Sequence, residues 1–98
     1  MMDSPANPSL PLVNIRGKAF TVLFKQPPGK NRRGLCDFGP QILYIDPRDP
    51  DTMLIALHEA LHAAFPDLNE EAVKEGAHGL EALVQVVVHY LVRKAKTK

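Results

Sequence analysis

Residues 51–65, DTMLIALHEALHAAF, contain neither proline nor glycine and are apolar at most positions, yet they carry His58, Glu59 and His62 in their middle. Asp49, Asp51 and Thr52 offer N-cap side chains and Pro66 stops the run, so the pattern predicts a helix over 53–65. A helix that is apolar nearly all round belongs in the centre of a domain. Two imidazoles and a carboxyl group placed there cost several kcal/mol unless something pairs with them. Whatever this chain folds into has to satisfy three polar groups next to its own core.

Those groups form His58-Glu59-Ala60-Leu61-His62, an H-E-x-x-H pattern. Residues four apart on a helix lie on one face with Cβ atoms about 5–6 Å from each other. Both imidazoles can therefore reach one zinc ion at about 2.0–2.1 Å. Glu59 projects about 100° away around the helix. It is placed to take a proton from a metal-bound water, as a general base, rather than to ligate.

A catalytic zinc takes three protein ligands and keeps one position open. The metzincin extension would need Gly at 65 and His at 68, where this chain has Phe65 and Leu68. Carboxylates follow instead: Asn69 is a helix N-cap ahead of Glu70, Glu71 and Glu75, and an antiparallel helix pair brings these beside the histidines. Helical phase favours Glu70, about 60° from the apolar stripe centred near Val73, over Glu71 and Glu75, about 160° away. Glu70 is the expected third ligand, with Glu71 in reserve; Asp67 and His78 are weaker alternatives, and His89 reads as a surface histidine.

The rest of the chain supplies a small α+β frame. Segment 1–17, with Pro5, Pro8 and Pro11, reads as a flexible arm, leaving 18–98 as one domain. KAFTVLF at 18–24 is a strand with Phe20, Val22 and Phe24 on one face. The Pro/Gly loop that follows carries Lys25, Lys30, Arg32 and Arg33. Segments 35–38 and 41–45 pair as a hairpin around Gly39-Pro40. A long helix then runs from Glu70 to about Lys94, its stripe of Val73, Ala77, Leu80, Val84, Val87 and Leu91 expected against the preceding helix and the sheet. The fold class is thus a small antiparallel or mixed sheet packed on a buried H-E-x-x-H helix, followed by a long C-terminal helix.

Charge narrows the function classes. Twelve Lys and Arg against eleven Asp and Glu, a net charge of +1, give no polyelectrolyte character, so any attraction to nucleic acid or anionic lipid has to be local. The single cysteine, Cys36, forms no internal disulfide, and the first twenty residues hold no continuous apolar run of the signal-peptide kind. No span reaches membrane length. The expected setting is cytoplasmic.

The stretch LIALHEALHAAFPDLNEEAV at 54–73, preceded by Gly34-Leu-Cys-Asp37 and the β segment 42–45, resembles the short H-E-x-x-H metalloproteins found in phage and bacterial genomes. Over roughly 18–91 it is similar to minigluzincins and, more loosely, to SprT-like proteins. The resemblance implies a minimal zincin-like metallopeptidase: a small sheet, an active-site helix with two histidines, and a following helix that supplies a glutamate. It assigns His58 and His62 as zinc ligands, Glu59 as base and Glu70 as third ligand, with Glu71 in reserve. The substrate class it implies is a peptide or protein. The extra subdomain with which larger peptidases close a cleft has no counterpart in these residues. Tyr44, His78 and Arg48 are the candidates to stabilise an oxyanion.

Two rival readings start from other features. In one, the metal is structural or the cleft is blocked by the chain's own arm, and Cys36, Asp67 or His78 closes the site as a fourth ligand. In the other, the 25–33 loop and the tail residues Arg93, Lys94, Lys96 and Lys98 contact nucleic acid, with an affinity that falls steeply with salt. No aromatic residues interleave those charges, so stacking on single strands has no support. Strand 41–45 has two readings: an ordinary core strand, or an edge facing the cleft to which an extended peptide could add as a further strand.

Overall fold

The computed structural model of the chain describes residues 10–29 and 31–97. Four strands and two helices follow one another as β1 (Leu12–Ile15), β2 (Lys18–Leu23), β3 (Gly34–Asp37), β4 (Ile42–Ile45), α1 (Thr52–Ala64) and α2 (Glu70–Lys96). The fold is α+β, with a mixed sheet of order β1-β2-β4-β3.

β1 corrects the expected arm. Residues 12–15 pair antiparallel with β2, Ile15 opposite Lys18; the 1–9 part of the expected arm lies outside the described residues. The turn is Arg16-Gly17, at φ 51° and 83°, the left-handed pair of a two-residue hairpin that matches strand twist. Asn14 Oδ1 accepts a hydrogen bond from the Gly17 N–H at 3.0 Å. Arg16 also reaches across to α1: its guanidinium donates to the Ala64 carbonyl at 2.8 Å and lies 5.2 Å from the centre of the Phe65 ring. A cation there complements the negative end of the helix.

β3 and β4 form the expected antiparallel hairpin, Leu35 opposite Tyr44. β4 also runs parallel to β2, Val22 opposite Leu43. Of the two readings of 41–45, core strand or edge, the first holds: β4 lies inside the sheet and β3 is the outer strand on that side. Pairing on both sides requires β4 to be apolar on its inward positions, and Leu43 and Ile45 are 3% exposed. Phe20 anchors the core at 0% exposure, with Leu43 and Ala63 around it and Cys36 packed at the margin. Phe24, expected on the same face, lies beyond the end of β2 and is exposed.

α1 starts where Asp46 and Arg48 organise the chain. Arg48 grips the buried Asp46 carboxylate with two hydrogen bonds, at 3.0 and 2.9 Å, and holds its pKa down to about 2. The Thr52 hydroxyl donates to the Asp49 carbonyl at 2.6 Å. These contacts replace the expected N-cap, because Asp51 makes no side-chain cap bond. α1 packs on β3, β4 and α2. It is less enclosed than its composition suggests: only Glu59 and Ala63 are buried, and Met53 is exposed.

Asn69 caps α2 as expected, accepting from the Ala72 N–H at 2.8 Å. Val73 and Ala77 are buried, but the stripe is not covered along its length. Among the described residues α2 packs only on α1 and never on the sheet. At 1.5 Å per residue α1 is about 20 Å long and α2 about 40 Å, so α2 outruns its only neighbour. Leu80, Val87 and Leu91, expected in the core, are exposed. No described helix is long and apolar enough to cross a membrane.

Candidate metal centre

His58 and His62 stand one turn apart on α1 with their Nε2 atoms 3.1 Å from each other. The turn 65–69 reverses the chain so that the first residue of α2, Glu70, meets both. Glu70 Oε2 lies 2.9 Å from His58 Nε2 and Oε1 lies 3.1 Å from His62 Nε2. The three side chains form a group that could hold a metal ion, their ligand atoms all within 4.8 Å of one another.

The donor set fits such an ion. A tetrahedral zinc with arms of about 2.0–2.1 Å separates its ligands by roughly 3.3 Å, close to the spacings seen. Two imidazole nitrogens and a carboxylate converging on one point are borderline and hard donors of the kind a zinc ion takes. The histidines are partly buried and Glu70 is mostly exposed, its side chain at 60%, so one side of the group opens to solvent.

Glu59 occupies a different environment one residue from His58. It is 8% exposed, and burial, followed by repulsion from Glu70, pushes its carboxyl up to about 7, against the opposing pull of Arg32 and a backbone hydrogen bond from Cys36. A carboxyl poised near neutrality can both accept and return a proton. Gly34 at the start of β3 makes this placement possible. A Cβ there would stand 2.6 Å from Ile55 Cγ2 and 2.8 Å from Glu59 Oε2, distances that would force the carboxyl to move.

Two cavities flank the group. One of about 550 Å³ is lined by Asn31, Arg33, Gly34, His58, Glu59 and His78 among others. The second, about 340 Å³, is bordered by Arg32, the β3 residues Gly34, Leu35 and Cys36, both histidines and Glu59. The 25–33 loop thus contributes cationic walls to the cleft, a placement missed from the sequence, where its charges signalled only solvent or phosphate. Arg33 is also tied to Asp49 at 3.2 Å. Nothing local in the sequence marks Gly34 either, since its constraint comes from a helix twenty-five residues away.

The other candidates are not part of this group: Glu71, Glu75, Asp67, His78 and Cys36 all lie outside it. Burial first, with Glu59 and Asp37 adding repulsion, raises the Cys36 thiol to about 11, so it stays protonated at neutral pH, the form that does not ligate. Of the three oxyanion candidates, His78 lines the larger cavity, Tyr44 lines neither, and Arg48 is engaged by Asp46. The chain matches no family model, no curated protein and no solved structure.

Proposed function

We propose that this chain is a zinc-dependent hydrolase, a minimal zincin-like metallopeptidase of the gluzincin kind. The observation that supports it most is the convergence of His58, His62 and Glu70 on one point, beside a buried Glu59 with its carboxyl raised to about 7. A zinc ion held there would polarise a carbonyl and acidify a bound water. Three protein donors, rather than four, is the composition of a catalytic site, and among the described residues the group holds three.

In this reading His58, His62 and Glu70 bind the ion, and Glu59 takes the proton from the attacking water and returns it to the leaving amine. Burial beside Ile55 and Gly34 keeps the Glu59 carboxyl from being held permanently ionised. β3 is the outer strand beside the cleft, so an extended peptide would add along it, the role first considered for 41–45.

The test is metal content with turnover. Elemental analysis of purified protein should find about one zinc per chain, lost in His58→Ala, weakened in Glu70→Ala and retained in Glu71→Ala and Glu59→Gln. A mixed peptide library should be cut by the native chain and not by Glu59→Gln. Protein that takes up no zinc when supplied with it overturns the metal centre; zinc uptake without cleavage of any peptide overturns the peptidase.

A further inference from the structure

We infer that the second half of α2 is an interface for a second copy of this chain, with the two helices running antiparallel and crossing near Val87. The observation is a helix with half of its length uncovered. α2 packs only on α1 among the described residues, and beyond the reach of α1 it presents Leu83, Val86, Val87, Tyr90 and Leu91 at 44–66% exposure. Those side chains form one continuous stripe about 140° wide, counted at 100° per residue. A helix apolar on that scale is normally covered.

Charge selects the occupant and its direction. The 70–81 half of α2 carries four glutamates against Lys74, a balance of 1 − 4 = −3, while the rest carries Arg93, Lys94 and Lys96, a balance of +3. Each copy of the helix is therefore the electrostatic complement of another copy reversed. Antiparallel pairing sets each basic end alongside Glu81 and the acidic half of the second copy. Parallel pairing would stack the two basic ends on each other within a Debye length. The helix macrodipoles favour the same direction.

A two-fold axis near Val87 also respects the space already taken. It overlaps residues 80–94 of the two helices, with Leu83 facing Leu91 of the second copy, and meets the part beside α1 only at its ends. Because the contact is isologous it closes at two copies rather than growing into a filament. The paired length is about 22 Å, at the small end of specific interfaces, so the affinity belongs in the micromolar range. The interface lies away from the donor group at the other end of α2, so it does not depend on the proposed activity.

Sedimentation velocity on the full chain tests this. The native protein should pass from monomer to dimer as its concentration rises through about 1 to 200 µM, and Val87→Glu with Leu91→Glu should leave it monomeric with unchanged helical circular dichroism, since both positions are exposed. In a Cys36→Ser background, Val87→Cys should cross-link to itself, whereas Leu91→Cys should not, its two copies being offset by eight residues, about 12 Å along the axis. Leu83→Cys mixed with Leu91→Cys should cross-link. A monomer at every concentration overturns the inference, as does a dimer that survives both glutamates. Self-linking of Leu91→Cys equal to that of Val87→Cys overturns the antiparallel direction, and a monomer that floats with phosphatidylcholine vesicles assigns the surface to lipid instead.

Discussion

The two halves of α2 share one helix and one apolar period, yet they have different fates. The first half lays Val73 and Ala77 against α1 and presents Glu70 to the two histidines; the second repeats the pattern with Val87 and Leu91 and covers neither. Periodicity decides which side of a helix is apolar. Whether that side is buried depends on the length of what lies beside it, and α1 is less than half as long.

The contrast can be broken most severely at the point where the first half meets the chemistry. Glu59→Gln keeps the shape of the side chain and removes its basicity, so peptide cleavage should fall by about 10²–10⁴-fold while zinc content stays at the native level. Paired measurements of kcat and metal stoichiometry check this; unchanged turnover would remove Glu59 from the mechanism.

Packing gives the next largest effect. Val73→Ala opens a void at a fully buried position and should lower unfolding stability by about 2 kcal/mol. Val87→Ala, the same change at an exposed position on the same helix, should cost under about 0.5 kcal/mol in dilute protein. Urea midpoints for the two variants compare the halves directly, and equal losses would show the second half to be covered even in the monomer.

Gly34 sharpens the comparison from the side of the sheet. Gly34→Ala should destabilise by about 1–3 kcal/mol through overpacking against Ile55. It should also reduce kcat with zinc binding retained, because the atom it crowds belongs to Glu59 and not to a donor. A variant with native kcat would show that Glu59 needs no such clearance.

The last effect is confined to acid and comes from Asp46. Its folded pKa, about 2, lies below its ordinary value of 3.8, so the unfolded chain binds more protons between them. The stability it lends is complete above about 4 and is lost as the pH falls through about 2. Asp46→Asn should flatten this part of the acid-unfolding curve, measured by circular dichroism at fixed urea; an unchanged slope would place the acid sensitivity elsewhere.

Much of the fold was legible because its signals are local. Pro66 and Asn69 bracket the turn between the helices, Gly39-Pro40 turns the β3–β4 hairpin, and an i, i+4 spacing puts His58 and His62 on one face wherever the helix lies. Phase on the second helix separated Glu70 from Glu71 in the same way, and only Glu70 stands by the histidines. β1 was missed because three prolines upstream outweighed the Arg16-Gly17 turn, and a short strand is stabilised by its pairing partner more than by its own residues. The sequence left the position of β4 open between core and edge because sheet order is a choice among distant segments.

The sequence by itself determined the two helices, the Asn69 cap of the second, the hairpin and the presence of two histidines and a glutamate at one helical spacing, since each follows from interactions within a few residues. Tertiary structure decided that Gly34 and the Arg32-Arg33 loop wall the cleft, that Glu59 is buried while Glu70 stays open to solvent, and that half of α2 is left uncovered. Those outcomes depend on relative element lengths and on contacts between residues far apart in the chain, which no local pattern encodes.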